Sequence, residues 1–111
     1  MSNSVFQSVI LQLKDISDRT FGVIDTEGCV VSCTDASLLG ERWTDAALRV
    51  GNASDNVVTF GQKTFKSMVS NSNYFEYAVF CTGDDENARG YCQLAYIALN
   101  DAKGFYEEKH D

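Results

Sequence analysis

The residues of this chain that could do covalent or acid–base chemistry are four cysteines, a single histidine and a scatter of carboxylates. Cys29 and Cys33 lie four apart in a β-rich run, so both would project from one face, but Cys-x3-Cys with no second Cys or His pair nearby is poor zinc geometry. Small buried side chains are the simpler reading, and a disulfide or redox pair made with Cys81 or Cys92 is the alternative. His110 stands next to the end of the sequence, which takes away the residue most used for general acid–base work near neutral pH. Asp25, Glu27, Asp35, Glu41 and Asp45 form neither a calcium loop nor a catalytic pair, and turn or capping duty accounts for the first three. Gly22, Gly28 and Gly40 are too scattered for a phosphate loop or a dinucleotide fingerprint. The expectation is a domain that is not an enzyme and holds no metal and no cofactor.

Binding chemistry is better represented. Arg42-Trp43 places a fixed cation beside the only tryptophan, a pair that could wall a small cavity and hold an anionic ligand. The plainer alternative makes Trp43 the largest core anchor and turns Arg42 to water. Lys66, between Phe65 and Met68 in mid-strand, could likewise face a pocket, although an exposed strand face is the commoner place for a lysine. The acidic run Asp84-Asp85-Glu86 suits a helix start, with Asp84 as N-cap, better than a metal.

These residues must be held by elements that the hydrophobic periods reveal. Val5, Phe6, Val9, Ile10, Leu13 and Ile16 recur at three and four, predicting an amphipathic helix over 4–19, with Ser4 and Gln7 as a capping box. Two β-rich runs, 21–24 and 29–33, flank Asp25-Thr26-Glu27-Gly28, whose glycine can take the positive φ that closes a hairpin. Thr34-Asp35-Ala36-Ser37 can cap a helical stretch that carries Leu38, Trp43 and Leu48, is broken near Gly40 and ends at Gly51-Asn52. The period then returns to two for three antiparallel strands: 57–60, a Gly61-Gln62 turn, 63–69, a loop at 70–73, and 74–82. Apolar groups on both faces of the last strand make it central. Gly83 ends the sheet, and Asp84-Asp85-Glu86 opens a long helix whose period holds from Ala88 to Ala102. The stretch 103–111 reads as the start of a connector rather than a frayed tail.

The order α-ββ-α-βββ-α predicts an α+β domain with a five-stranded antiparallel sheet, of the PAS, GAF, profilin or roadblock kind. At 111 residues the whole of 1–111 is one domain. A formal charge of −7 disfavours direct contact with nucleic acid. No apolar run is long enough to cross a bilayer and the start lacks a signal peptide, so a cytoplasmic protein with free thiols is expected, with no membrane partner.

The stretch Cys33-Thr34-Asp35-Ala36-Ser37-Leu38-Leu39-Gly40-Glu41, following a Val-Ile-Asp-x-x-Gly hairpin, resembles the N-terminal sensory region of carbohydrate-diacid-regulator-like, PucR-type bacterial transcription factors. The closing segment, from Ala88 through Tyr91-Cys92 to Phe105-Tyr106-Glu107-Glu108-Lys109, looks like the helix by which clostridial members pass from sensor to output. Asp35 and Gly40 match the family pattern. Leu38 and Trp43 stand where its diacid binders carry an Arg and a His, so diacid specificity does not carry over. The resemblance implies a PAS-like sensory fold, a role in transcriptional control and a helix-turn-helix output domain outside these residues. Together these readings give a signal-input domain that takes a small, anionic ligand at Asp35, Arg42, Trp43 and Lys66, inside a scaffold hollow enough to admit it. It would dimerise with a second copy through its terminal helices. The alternative is a roadblock-like protein–protein dimerisation module with no small-molecule ligand.

Overall fold

The computed structural model describes the backbone of residues 2–53, 57–69 and 75–109, and within these the side chains of all but 2–5, 69, 75, 76 and 102–109. The elements are α1 (Ser2–Leu13), β1 (Phe21–Asp25), β2 (Val30–Cys33), a 3₁₀ turn (Ala36–Leu38), α2 (Thr44–Asn52), β3 (Val57–Phe60), β4 (Lys63–Val69), β5 (Phe75–Thr82) and α3 (Glu86–Lys109). The expected α+β order is present, and the strands form one antiparallel sheet in the order β2-β1-β5-β4-β3. The expected loop at 70–73, the first residue of the last strand at Tyr74, and His110 and Asp111 lie outside the described residues, as do the side chains of the connector stretch.

The sheet carries a hydrophobic layer on each face because its strands alternate apolar residues in both directions. On one face Phe6, Ile10 and Leu13 of α1 and Ala88, Cys92, Ala95 and Leu99 of α3 pack on Phe21, Val23, Met68, Val79 and Cys81. On the other, Ala46 and Val50 of α2, with Leu38 and Trp43, cover Ile24, Val30, Phe65, Ala78 and Phe80. Strand β5 lies between β1 and β4, as two apolar faces required. Gly22 of β1 is needed where it stands: a Cβ there would collide with the Phe80 ring.

Three local expectations are corrected. The first helix begins at Ser2, ahead of the predicted cap, and ends at Leu13 in a tightening turn in which Lys14, Asp15 and Ile16 donate to Leu11, Gln12 and Leu13. Gln7 forms no capping box; its amide reaches the sheet, donating to the Cys33 carbonyl at 3.1 Å and accepting from the Cys33 N–H at 3.1 Å. Asp85 rather than Asp84 organises the start of α3. Its carboxylate takes both guanidinium nitrogens of Arg19, at 2.9 and 3.0 Å, while Arg19 also donates to the Thr82 carbonyl at 3.0 Å. This clasp ties the β1 entrance to α3 and holds the Asp85 carboxyl below the usual carboxylate range.

Candidate functional site

The hairpin between β1 and β2 begins the site. Asp25 accepts from the Glu27 and Cys29 N–H groups at 2.9 and 3.0 Å, an Asx-type turn, and Gly28 closes it at φ 86°. Gly28 also has a second reason to be glycine, because a Cβ would strike the Trp43 carbonyl. That close approach lets residues 40–43 run along the outer edge of β2. Val30 N–H donates to Glu41 at 2.8 Å, Gly40 N–H to Val30 at 3.0 Å and Trp43 N–H to Gly28 at 2.8 Å. The preceding 3₁₀ turn is capped by Asp35, whose Oδ1 accepts from the Ser37 N–H and hydroxyl at 3.0 and 2.6 Å, and these bonds lower its pKa. Gly40, at φ 87°, then turns the chain so that Trp43 enters α2 from above the sheet.

Trp43 is half-buried. Its ring meets Phe80 edge-on at 4.8 Å, and its indole N–H donates to Glu41 at 2.9 Å. The outer ring face is not covered by core; Lys63 Nζ sits 4.8 Å from its centroid. Between this ring and the β3–β4 hairpin lies a groove of about 380 Å³, lined by Arg42, Trp43, Asp45, Phe60, Lys63 and Phe65 among others. Arg42 reaches Glu27 at 3.5 Å, an exposed and loose pair. The groove therefore has an aromatic floor, two cations and one carboxylate in its lining. It can hold a flat apolar body and pair with its anionic group.

Of the four residues singled out in the sequence, Arg42 and Trp43 meet here and the other two do not. Asp35 lies beside Lys14 and Arg19 in a separate polar depression, where it serves its turn. Lys66 is on the opposite face, its ammonium 4.5 Å over the Tyr96 ring of α3. Period-two alternation is the reason: Lys63 and Phe65 of β4 face α2, so Lys66 must face α3. The missed lining residues Lys63, Phe60 and Phe65 carry that same alternation as their signal. The expectation of a hollow interior is also corrected, because Phe65, Phe80, Ile24 and Val30 fill the space below α2. The groove opens at the margin.

The cysteines offer little chemistry. All four are unbridged, and burial raises Cys33 and pushes Cys81 up to about 11 and Cys92 to about 12. Such thiols stay protonated at neutral pH. Cys29 lies just outside β2 and is only half-buried, so Cys29 and Cys33 do not share a strand as expected. Among the described residues no group of three or more metal-ligating side chains is gathered, and no helix is long and apolar enough to cross a membrane. No family model, curated protein or solved structure matches the chain. What stands plainly is a five-stranded antiparallel α+β domain.

Proposed function

We propose that this chain is a non-catalytic signal-input domain whose groove beside α2 takes a small anion with a flat apolar body. The observation that carries the reading is the sharing of one groove by the Trp43 ring and the cations Arg42 and Lys63. Its volume, about 380 Å³, is within the range of small-molecule sites. The resemblance to sugar-diacid regulators supports an input role upstream of transcriptional control. Tryptophan in the place of that family's histidine supports stacking on an aromatic or cyclic body over hydrogen bonding to a sugar diacid.

A guest can act only by binding one packing of the domain better than another. Phe65 and Phe80 border the groove layer, while Val79 and Cys81 of the same sheet carry α1 and α3 on its far side. A shift of α2 against the sheet is thereby felt by the terminal helices. Those helices are the proposed contact with a second copy, since Leu94 and Ile97, one turn apart on α3, are 54% and 56% exposed, and Leu11 of α1 is 47% exposed.

The single tryptophan supplies the test. Benzoate and cyclohexanecarboxylate, with neutral benzamide as control, are titrated while Trp43 emission is followed. Saturable quenching by the anions, weakened about tenfold in Lys63→Gln and Arg42→Gln, supports the reading. No saturable change up to about 10 mM with any anionic probe would transfer support to the ligand-free, roadblock-like interaction module. The filled interior is the observation that supports that second reading.

A further inference from the structure

The sheet has two edges, β2 and β3, and they are finished differently. Residues 40–43 cover β2. Among the described residues nothing pairs with the outer side of β3, so every second residue of Val57–Phe60 turns its backbone N–H and C=O outward. A depression of about 480 Å³ runs along this edge, floored by Val57, Val58 and Thr59. Two arginines bracket it: Arg49 from α2 on one face of the sheet and Arg89 from α3 on the other. Both are exposed, and neither is ion-paired among the described residues, where the ion pairs are Arg19–Asp85 and Arg42–Glu27. Arg49 lies over the Phe60 ring, 5.9 Å from its centroid. Two exposed cations flanking one strand run against the −7 charge of the whole chain.

We propose that the β3 edge is a docking strand for an extended acidic segment of a partner protein, which adds to the sheet beside Val57–Phe60 with its carboxylates facing Arg49 and Arg89. Main-chain hydrogen bonds supply the pairing, and side chains alternating to the two faces meet one arginine on each. A second copy of this chain is a poorer occupant. Antiparallel pairing of β3 with itself about a two-fold axis brings each arginine toward the same charges of its mate, and like charges across a strand pair are unfavourable. The arginines thus hold the edge apart from its own kind while leaving it open to the opposite charge.

The test uses the full chain and a labelled peptide of about eight residues, acetylated and amidated, in which glutamates stand in adjacent pairs between valines so that carboxylates fall on both faces of the strand; lysine replaces glutamate in one control and alternate backbone amides are N-methylated in another. Fluorescence polarisation and hydrogen exchange are the readouts. The proposal expects the glutamate peptide to bind and to slow exchange at Val57–Phe60. It also expects about a tenfold loss of affinity between about 50 and 300 mM salt, and at least a tenfold loss in Arg49→Gln/Arg89→Gln. Both positions are exposed, so the variant should fold, and Arg49→Lys/Arg89→Lys should retain most binding. Absence of binding at about 1 mM, equal binding of the lysine peptide, equal binding of the methylated peptide, or slowed exchange at some other edge would each overturn it. So would a wild-type dimer, seen by sedimentation, that protects β3 without any peptide.

Discussion

The β2 and β3 edges solve the same problem by different physics. At β2 the chain spends four residues, 40–43, on covering the exposed backbone, and it needs a glycine at 28 to let the cover approach. At β3 there is no cover among the described residues, and charge from Arg49 and Arg89 stands guard instead. Covering fixes an edge in place and ties it to the site, since the same four residues end in Trp43. Guarding by charge leaves the edge selective rather than closed. The covered edge should thus fail through sterics and acid, and the guarded edge through charge reversal or neutralisation.

The largest effect expected is from Gly28→Ala. The new methyl meets the Trp43 carbonyl and the residue must hold φ near 86°, so both the turn and the cover are strained at once. A loss of about 3 kcal/mol in urea unfolding is expected, with faster exchange at the Val30 and Trp43 amides and little change at β3. Uniform loosening of both edges would mean that they are not independent. Trp43→Ala comes next. It removes the edge-on contact with Phe80 but leaves the backbone of 40–43 able to pair, so about 2 kcal/mol should be lost for this half-buried ring.

Acid should separate the edges without mutation. Asp35 caps the turn that leads into the β2 cover, and its bonds to Ser37 lower its pKa. A carboxyl depressed in the folded state adds stability above its unfolded pKa, near 4, and that contribution is lost as pH falls through the folded value. The Arg19–Asp85 clasp has the same sign. Amide exchange measured from about pH 5 down to about pH 2.5 should show residues 36–43 and the start of α3 loosening before β3. Asp35→Asn should remove the early step at 36–43 and leave the one at α3.

The element order was legible because each element repeats a local period: three and four for α1 and α3, two for β3 to β5, and a turn signature at Asp25-Thr26-Glu27-Gly28. The central place of β5 followed from apolar groups on both its faces. What was illegible depends on contacts between distant parts. Gln7 looked like half of a capping box, but its partner is Cys33, on a strand that the local pattern does not connect to α1. Residues 40–43 have no strand period at all, and only the positive φ of Gly28 and Gly40 brings them alongside β2. In the site, Arg42 and Trp43 were readable as a pair because they adjoin. Choosing Lys63 over Lys66 needed the phase of β4 relative to α2, which the single apolar anchor Phe65 would have supplied.

The smallest effects belong to the guarded edge, where little is packed. Neutralising Arg49 and Arg89 with glutamine should change stability by no more than about 0.5 kcal/mol while raising self-association at high protein concentration, because the repulsion between two β3 edges is gone. Gln62→Gly sharpens the same point from the other direction. Gly61 and Gln62 turn the β3–β4 hairpin with φ of 58° and 62°, and glutamine is strained in that left-handed region. Glycine there relieves the strain but loosens the unfolded chain, so a net gain of about 0.5 kcal/mol is expected. That gain should appear as slower exchange in β3 and β4 alone, because β2 is held by its cover. If the β2 edge tightened equally, the hairpin and the cover would be one cooperative unit, and the guarded edge would owe its order to the groove rather than to its own turn.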